Sequence, residues 1–331
     1  MSDSTPRPSS LIHTVYGEFV RRLGGWISIA DLIALMAELD VDGPAVRSAM
    51  SRLKKAGTLL QERRAGTGYR LAPAMEPVFE EGDRRIFHSL EPAGLADGWV
   101  VAVFSVPESE RAHRHQLRSR LSWLGFGNAA PGVWLAPARL LPDARRLLER
   151  LGLSAYVHLF LSAEYAGFAD LRTAVASWWD LPAIEAQYAA FTDAWRPVAE
   201  ELRGPSGREP GGQHEPGRQG EPEQREPRGQ GEPEQREPRG QGEPGERRAS
   251  AEQRQPRRVD PAEAFRAYVP MLTQWRRLPY LDPGLPAQLL PADWNAVPAR
   301  AVFTELHELL AEPSLRYVEK VTGLSHPQEP S

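Results

Sequence analysis

Residues 28–71 read SIADLIALMAELDVDGPAVRSAMSRLKKAGTLLQERRAGTGYRL, and the order of signals in this stretch decides the fold. Ser28 followed three residues on by Asp31 is a capping-box pattern that satisfies free backbone N–H groups at a helix start. Leu32, Ile33, Leu35, Met36 and Leu39 then recur at helical spacing. Val41-Asp42-Gly43 interrupts this helix, and Pro44, which suits a first helical turn, opens another through Ala56. In that second helix Val46, Ala49, Met50 and Leu53 fall at i, i+3, i+4 and i+7 and form its buried stripe. Arg47, Ser48, Ser51, Arg52, Lys54 and Lys55 are left on the outer face, and Gly57 stops the helix.

Two short strands follow, Leu59–Arg63 and Tyr69–Leu71, joined by Arg64-Ala65-Gly66-Thr67-Gly68, whose two glycines permit positive φ. From Pro44 to Arg70 there are seven Lys or Arg and one acid, Glu62, a local balance of +6 in a chain whose formal charge is −4. A basic face on one helix, taken alone, reads more readily as ordinary solvated surface. Helix, turn, basic helix and basic hairpin in this order point instead to a winged helix-turn-helix. Arg47, Ser48, Ser51, Arg52, Lys54 and Lys55 would enter the major groove of double-stranded DNA, while Arg63 and Arg64 at the hairpin tip would reach backbone or minor groove.

A chain of 331 residues leaves room for more than one domain. The absence of cysteine excludes disulfides, thiolate metal sites and cysteine nucleophiles. The polar start MSDSTPRP lacks an apolar signal core, and no apolar run is long enough to span a membrane, so a soluble cytoplasmic protein is expected. Residues 1–9 are expected to be disordered. Ser10 precedes a helix in which Leu11, Val15, Phe19 and Leu23 align and pack behind the DNA-reading pair, and Glu76–His88 reads as a connector helix. Residues 10–90 thus form the predicted DNA-binding domain.

Residues 91–175 alternate differently. Trp99–Val106 is an apolar strand and Glu108–Leu124 a helix; Phe126–Ala129 and Gly132–Ala136 are strands, Arg139–Leu151 a helix and Ala155–Leu161 a strand. The order β-α-β-β-α-β predicts a ferredoxin-like domain. Asp180–Leu202, Asp260–Leu278 and Ala299–Leu310 read as helices of a C-terminal helical domain, 176–202 with 259–320, interrupted by the proline-dense segment Pro279–Pro298. The fold class expected is therefore α+β and multidomain. Between its two halves, residues 203–258 contain no Val, Ile, Leu, Met, Phe, Tyr or Trp, and GEPEQREPRGQ at Gly220–Gln230 is repeated at Gly231–Gln241. Such a segment cannot bury apolar surface to offset its chain entropy and is expected to be a disordered insert; the tail 321–331 is read likewise.

Several separate segments resemble the PaaX-like transcriptional regulators, the phenylacetic-acid degradation repressor family. They are Leu11-Ile12-His13-Thr14-Val15-Tyr16-Gly17; Ala45-Val46-Arg47-Ser48-Ala49-Met50-Ser51-Arg52-Leu53 with Gly57; Trp123-Leu124-Gly125-Phe126-Gly127 with Pro131-Gly132-Val133-Trp134; and Trp275-Arg276-Arg277-Leu278-Pro279-Tyr280-Leu281-Asp282-Pro283-Gly284-Leu285-Pro286 with Leu289-Leu290-Pro291 and Trp294. The resemblance implies a homodimeric repressor on a palindromic operator, released by an aryl-CoA thioester, typically phenylacetyl-CoA. No cofactor and no metal are expected. The resemblance also implies a central domain similar to small CRISPR-associated endoribonucleases, which raises a metal-dependent nuclease as the alternative. Those relatives hold a metal through an acid at the end of the first strand, whereas this strand ends Phe104-Ser105-Val106-Pro107. His113 and His115, two apart on a helix, face different ways and do not chelate together. No P-loop or nucleophile elbow is present in the sequence, and no enzyme is expected.

The aromatic-rich C-terminal half offers the place for an apolar acyl group. Trp178, Trp179, Tyr188, Trp275, Tyr280 and Trp294 are candidates, with Arg276 and Arg277 for CoA phosphates, since guanidinium forks match phosphate oxygens. Each aromatic taken singly reads more readily as core.

Overall fold

A computed structural model describes residues 6–88, 93–204 and 259–325; the tandem repeat and nearly all of the predicted insert lie outside them. Helix α1, Pro8–Val15, continues into a π-helical turn, Tyr16–Val20. It starts two residues before Ser10, because Pro8 is compatible with a first helical turn. Strand β1, Trp26–Ser28, runs into α2, Ile29–Ala37. The Ser28 hydroxyl accepts from the Asp31 N–H at 3.0 Å and donates to its carboxylate at 2.6 Å.

Helix α3, Gly43–Lys55, begins one residue earlier than the proline suggested, because Asp42 caps it by accepting from the Ala45 N–H at 2.7 Å. Its end is a Schellman motif: the Gly57 N–H reaches the Lys54 carbonyl and the Thr58 N–H the Leu53 carbonyl, each at 3.0 Å. Strands β2, Leu59–Arg63, and β3, Thr67–Leu71, form the expected hairpin. The sheet has a third strand that the sequence did not reveal: β1 pairs with β3, giving the antiparallel order β1-β3-β2.

The two hairpin glycines do not serve the purpose their sequence context suggested, for neither Gly66 nor Gly68 has positive φ. Gly68 lies within β3 opposite Ser28, and a methyl group there would overlap the Trp26 ring and approach the Ile27 carbonyl oxygen to 2.5 Å. It is glycine because β1 packs on top of it.

Helix α4, Glu76–Phe87, leads away from the hairpin. The next elements are β4 (Trp99–Phe104), α5 (Arg111–Trp123), β5 (Gly127–Ala130), β6 (Val133–Pro137), α6 (Leu141–Arg150) and β7 (Val157–Ala163). Their four strands make an antiparallel sheet in the order β5-β6-β4-β7. Val100, Ala102 and Phe104 of β4 pack with Leu117 and Leu121 of α5 and Leu147 of α6 in one core. A smaller cluster joins Trp99 to Val175, Trp179, Leu285 and Leu289.

The C-terminal part is helical: α7 (Leu171–Trp178), α8 (Leu181–Arg203), α9 (Pro261–Trp275), the single turn α10 (Leu278–Leu281) and α11 (Ala296–Thr322). Helix α11 continues through Pro313, well past the expected end at Leu310. The largest core does not respect the boundary drawn between residues 10–90 and the C-terminal helices. Leu11, Ile12, Val15, Tyr16, Phe19 and Val20 are all buried, so α1 and its π-helical turn are apolar on more than one side. They join α2 and α3 to α8, α9 and α11 in one continuous cluster. No described helix is long and apolar enough to cross a membrane.

Candidate nucleic-acid interface and ligand cavities

The buried stripe of α3 is the one its spacing predicted: Val46, Ala49, Met50 and Leu53 are all inside. Arg47, Ser48, Ser51, Arg52, Lys54 and Lys55 are all exposed. None of these four cations meets a carboxylate among the described residues. Arg52 donates to the Ser48 hydroxyl at 2.8 Å, and Lys54 to the Gln61 side chain at 2.7 Å. These neutral partners orient the cations without cancelling their charge. Arg52, Lys54 and Lys55 also occupy the last turn, where cations complement the helix dipole.

The hairpin is less strongly positive than its arginine count suggests. Glu62 accepts from Arg64 at 2.6 Å and forms an ion pair with Arg70 at 3.0 Å. The Arg64 guanidinium also lies 5.5 Å from the Trp26 ring centre. Trp26 itself donates to the Glu62 carbonyl at 3.1 Å, so β1 anchors the tip of the hairpin. Arg63 is exposed and takes part in neither ion pair.

The buttress behind this surface carries unusual charge. Arg21 forms ion pairs of 2.7 Å with both Glu76 and Asp83 of α4. Glu18, on the π-helical turn, is buried, and burial pushes its carboxyl up to about 7, only partly opposed by Arg22 at 3.5 Å. Glu38 at the end of α2 pairs with Arg266 of α9 at 2.6 Å.

The predicted effector residues separate into four places. Trp275 is core: it is 1% exposed, stacks on Phe303 with ring centres 4.5 Å apart, and lines neither large cavity. Trp178 and Trp179 belong to the cluster beneath β4, with the Trp179 indole donating to the Gly125 carbonyl at 3.0 Å. Arg276, Arg277 and Tyr280 line a cavity of about 500 Å³ together with His13 and Phe79. Tyr280 stacks on Trp123 at 4.1 Å, and the half-buried Arg276 donates to the Thr14 hydroxyl at 3.2 Å. Tyr188 and Trp294 line a separate cavity of about 560 Å³. Four arginines that sequence reading passed over also border that cavity: Arg85, Arg139, Arg172 and Arg300. They stand on separate segments, and nothing in their local sequence distinguishes them.

Three family descriptions match in succession: "PaaX-like protein" over residues 7–75, "PaaX protein central Cas2-like domain" over 92–175, and "PaaX-like protein C-terminal domain" over 246–320. The transcriptional repressor PaaX of Escherichia coli K12 is 25% identical over 320 residues, covering 94% of this chain and 83% of that protein. A solved structure, protein Rv0674 from Mycobacterium tuberculosis, aligns at 18% identity and a TM-score of 0.46, covering 94% of this chain and 99% of that one. The three matches follow the residues that form the basic helix and hairpin, the β5-β6-β4-β7 sheet and the C-terminal helices, and the chain belongs to the PaaX-like family.

Proposed function

We propose that this protein is a DNA-binding transcriptional repressor of an aromatic-acid catabolic operon of the phenylacetate type, relieved by an aryl-CoA thioester. The observation that carries the DNA-binding part is the outer face of α3: four cations with no carboxylate partner among the described residues, beside an antiparallel hairpin. In this reading α2, α3 and the β1-β3-β2 sheet act as a winged helix-turn-helix, with α3 in the major groove and the hairpin on the backbone. The E. coli relative's designation as a repressor supports the direction of regulation.

The β-α-β-β-α-β order and the β5-β6-β4-β7 sheet act as a ferredoxin-like domain. A palindromic operator calls for two copies. The edge strand β7 exposes Phe160 and Leu161, at 57% and 53%, as an apolar surface for a second copy to cover. The nuclease reading has less support, because β4 ends at Phe104-Ser105 with no carboxylate to hold a metal.

Release requires the thioester to bind the DNA-incompetent state more tightly than the competent one. A coupling of about 1–3 kcal/mol lowers operator affinity roughly 5- to 150-fold. The test is selection of duplexes from a random library, followed by titration of the selected complex with phenylacetyl-CoA, phenylacetate and CoA. The reading expects a palindromic sequence and release by phenylacetyl-CoA. Failure to enrich any sequence overturns the repressor reading, and release by all three alike, or by none, overturns the effector.

A further inference from the structure

The cavity bordered by Tyr188 and Trp294 has a built anion site at its deep end. Arg85 is 4% exposed. Its Nε and Nη2 donate to the Pro279 and Leu124 carbonyls, each at 3.0 Å. Its Nη1 is buried with no hydrogen-bond partner among the described residues, and the Asp143 carboxylate lies 4.0 Å away. Arg139 donates from Nη2 to the Gly284 carbonyl at 3.1 Å, while its buried Nε has no partner among the described residues. Arg172, at the rim, donates to the Leu290 carbonyl at 3.3 Å. Arg300 lies 5.1 Å over the Trp275 ring.

Carbonyls and a ring fix these guanidinium groups in place; the ion pair of Arg85 with Asp143 is long, at 4.0 Å, and Asp143 is shared with Arg146. The one acid among the described lining residues, Asp282, is already committed: it accepts from the Tyr188 hydroxyl at 3.0 Å and from the Gly284 N–H at 2.7 Å. A buried cation held mainly by dipoles, its nearest carboxylate 4.0 Å away and a donor left over, is costly unless a closer anion completes it. The turn Asp282-Pro283-Gly284 is shaped around this site. Gly284 has φ +59°, and a methyl group on it would fall on the Arg139 guanidinium, 2.8 Å from Cζ. Toward the opening the lining becomes apolar, with Leu290, Pro291, Trp294 and the 77%-exposed Val297.

We propose that this cavity binds the phosphate groups of an organic phosphate ester, held by Arg85, Arg139 and Arg300, with an apolar portion of the ligand against Trp294 and Val297. Four guanidinium groups against one committed carboxylate match a multiply charged phosphate better than a single carboxylate, and the paired donors of a guanidinium suit phosphate oxygens. The site is also placed to be felt by the DNA-reading surface. Arg85 stands on α4, the helix whose Glu76 and Asp83 clamp Arg21 at the end of the π-helical turn that follows α1. Identifying the ligand as the CoA end of the effector rests on the function proposed above, and would place its phosphates here rather than at Arg276 and Arg277.

The test is calorimetric titration of the full chain, in phosphate-free buffer, with pyrophosphate, CoA, phenylacetyl-CoA and phenylacetate. Arg300→Gln loses no hydrogen bond within the described residues and should fold normally; Arg139→Gln probes the deep end. Each is expected to weaken pyrophosphate and CoA binding at least about tenfold while leaving ligand-free DNA affinity unchanged. Arg118→Gln, on the exposed face of α5, is expected to change neither. Wild-type affinity in both cavity variants, loss of binding on Arg277→Gln alone, or binding of phenylacetate in preference to CoA would overturn the site. If phenylacetyl-CoA still releases DNA from both cavity variants, the effector reading stands and the site falls. If pyrophosphate and CoA bind through these arginines but phenylacetyl-CoA releases no DNA, the site stands and the effector reading falls.

Discussion

Substituting Gly68 by alanine tests how the hairpin is attached to the rest of the proposed DNA-reading surface. The added methyl overlaps the Trp26 ring and comes within 2.5 Å of the Ile27 carbonyl oxygen, which is backbone and cannot swing aside. Trp26 cannot yield freely either: it is 6% exposed, and its indole donates to the Glu62 carbonyl at 3.1 Å. Relief therefore requires β1 to move off β3. Overpacking of this kind costs about 1–3 kcal/mol, and each ladder hydrogen bond loosened adds roughly 0.5–1.5 kcal/mol. The expected destabilisation is about 2–4 kcal/mol by these figures, read as a lower urea midpoint with an unchanged slope. Because β1 runs directly into the cap of α2, the hairpin also shifts relative to α3, and operator affinity should fall along with stability. Gly66→Ala is the internal control: it has ordinary φ and nothing within 4 Å of an added methyl. Equal urea midpoints for the two variants would refute the close-packing account of Gly68.

Three further outcomes are expected. Glu18 has its carboxyl raised from 4.5 to about 7 by burial, so the folded state favours the protonated acid; its contribution is present in full below pH 4.5 and is lost as pH rises through about 7. Urea unfolding should therefore show stability falling between about pH 5 and about pH 8 by up to roughly 3 kcal/mol, and Glu18→Gln should flatten that dependence; an equal fall in the variant would exonerate Glu18. Gly284→Ala should destabilise the fold by roughly 2 kcal/mol, through a positive φ and the displaced Arg139, and should weaken ligand binding in the same titrations; wild-type behaviour in both would contradict the role given to that turn. Removing Arg63 and Arg64 together should make the slope of log affinity against log salt shallower by roughly 0.9 for each phosphate that is no longer neutralised, and an unchanged slope would take the hairpin out of the DNA interface.

Local chemistry was the legible part. Ser28 and Asp42 are short polar side chains placed to cap helices, Gly57 is placed to end one, and the stripe Val46, Ala49, Met50, Leu53 has a single period; each signal lies within a few residues of its consequence. Strand β1 was invisible because three residues carry no periodicity, and its counterpart, a glycine opposite Ser28, sits forty residues away in β3. The shared core was missed for the same reason. An apolar α1 shows that it is buried, but not that α9 and α11 cover it. The arginine cavity is the extreme case: Arg85, Arg139, Arg172 and Arg300 are isolated arginines in the sequence, and only the folded chain assembles them. The C-terminal tryptophans misled in the opposite direction. Their clustering in sequence suggested one aromatic site, yet Trp275 is core and Trp179 is spent on a backbone carbonyl.

That α3 reads duplex DNA through its outer face is tested most directly by the affinity of Arg47→Ala and Arg52→Ala for the selected operator and for a scrambled duplex at several salt concentrations. A residue touching a base edge should lose about 1–3 kcal/mol on the operator and little on the scrambled duplex, while one touching phosphate should weaken binding alike on both with a shallower salt slope. One of these two patterns is predicted for each arginine. Unchanged affinity on both duplexes for both variants, at moderate salt, would contradict it.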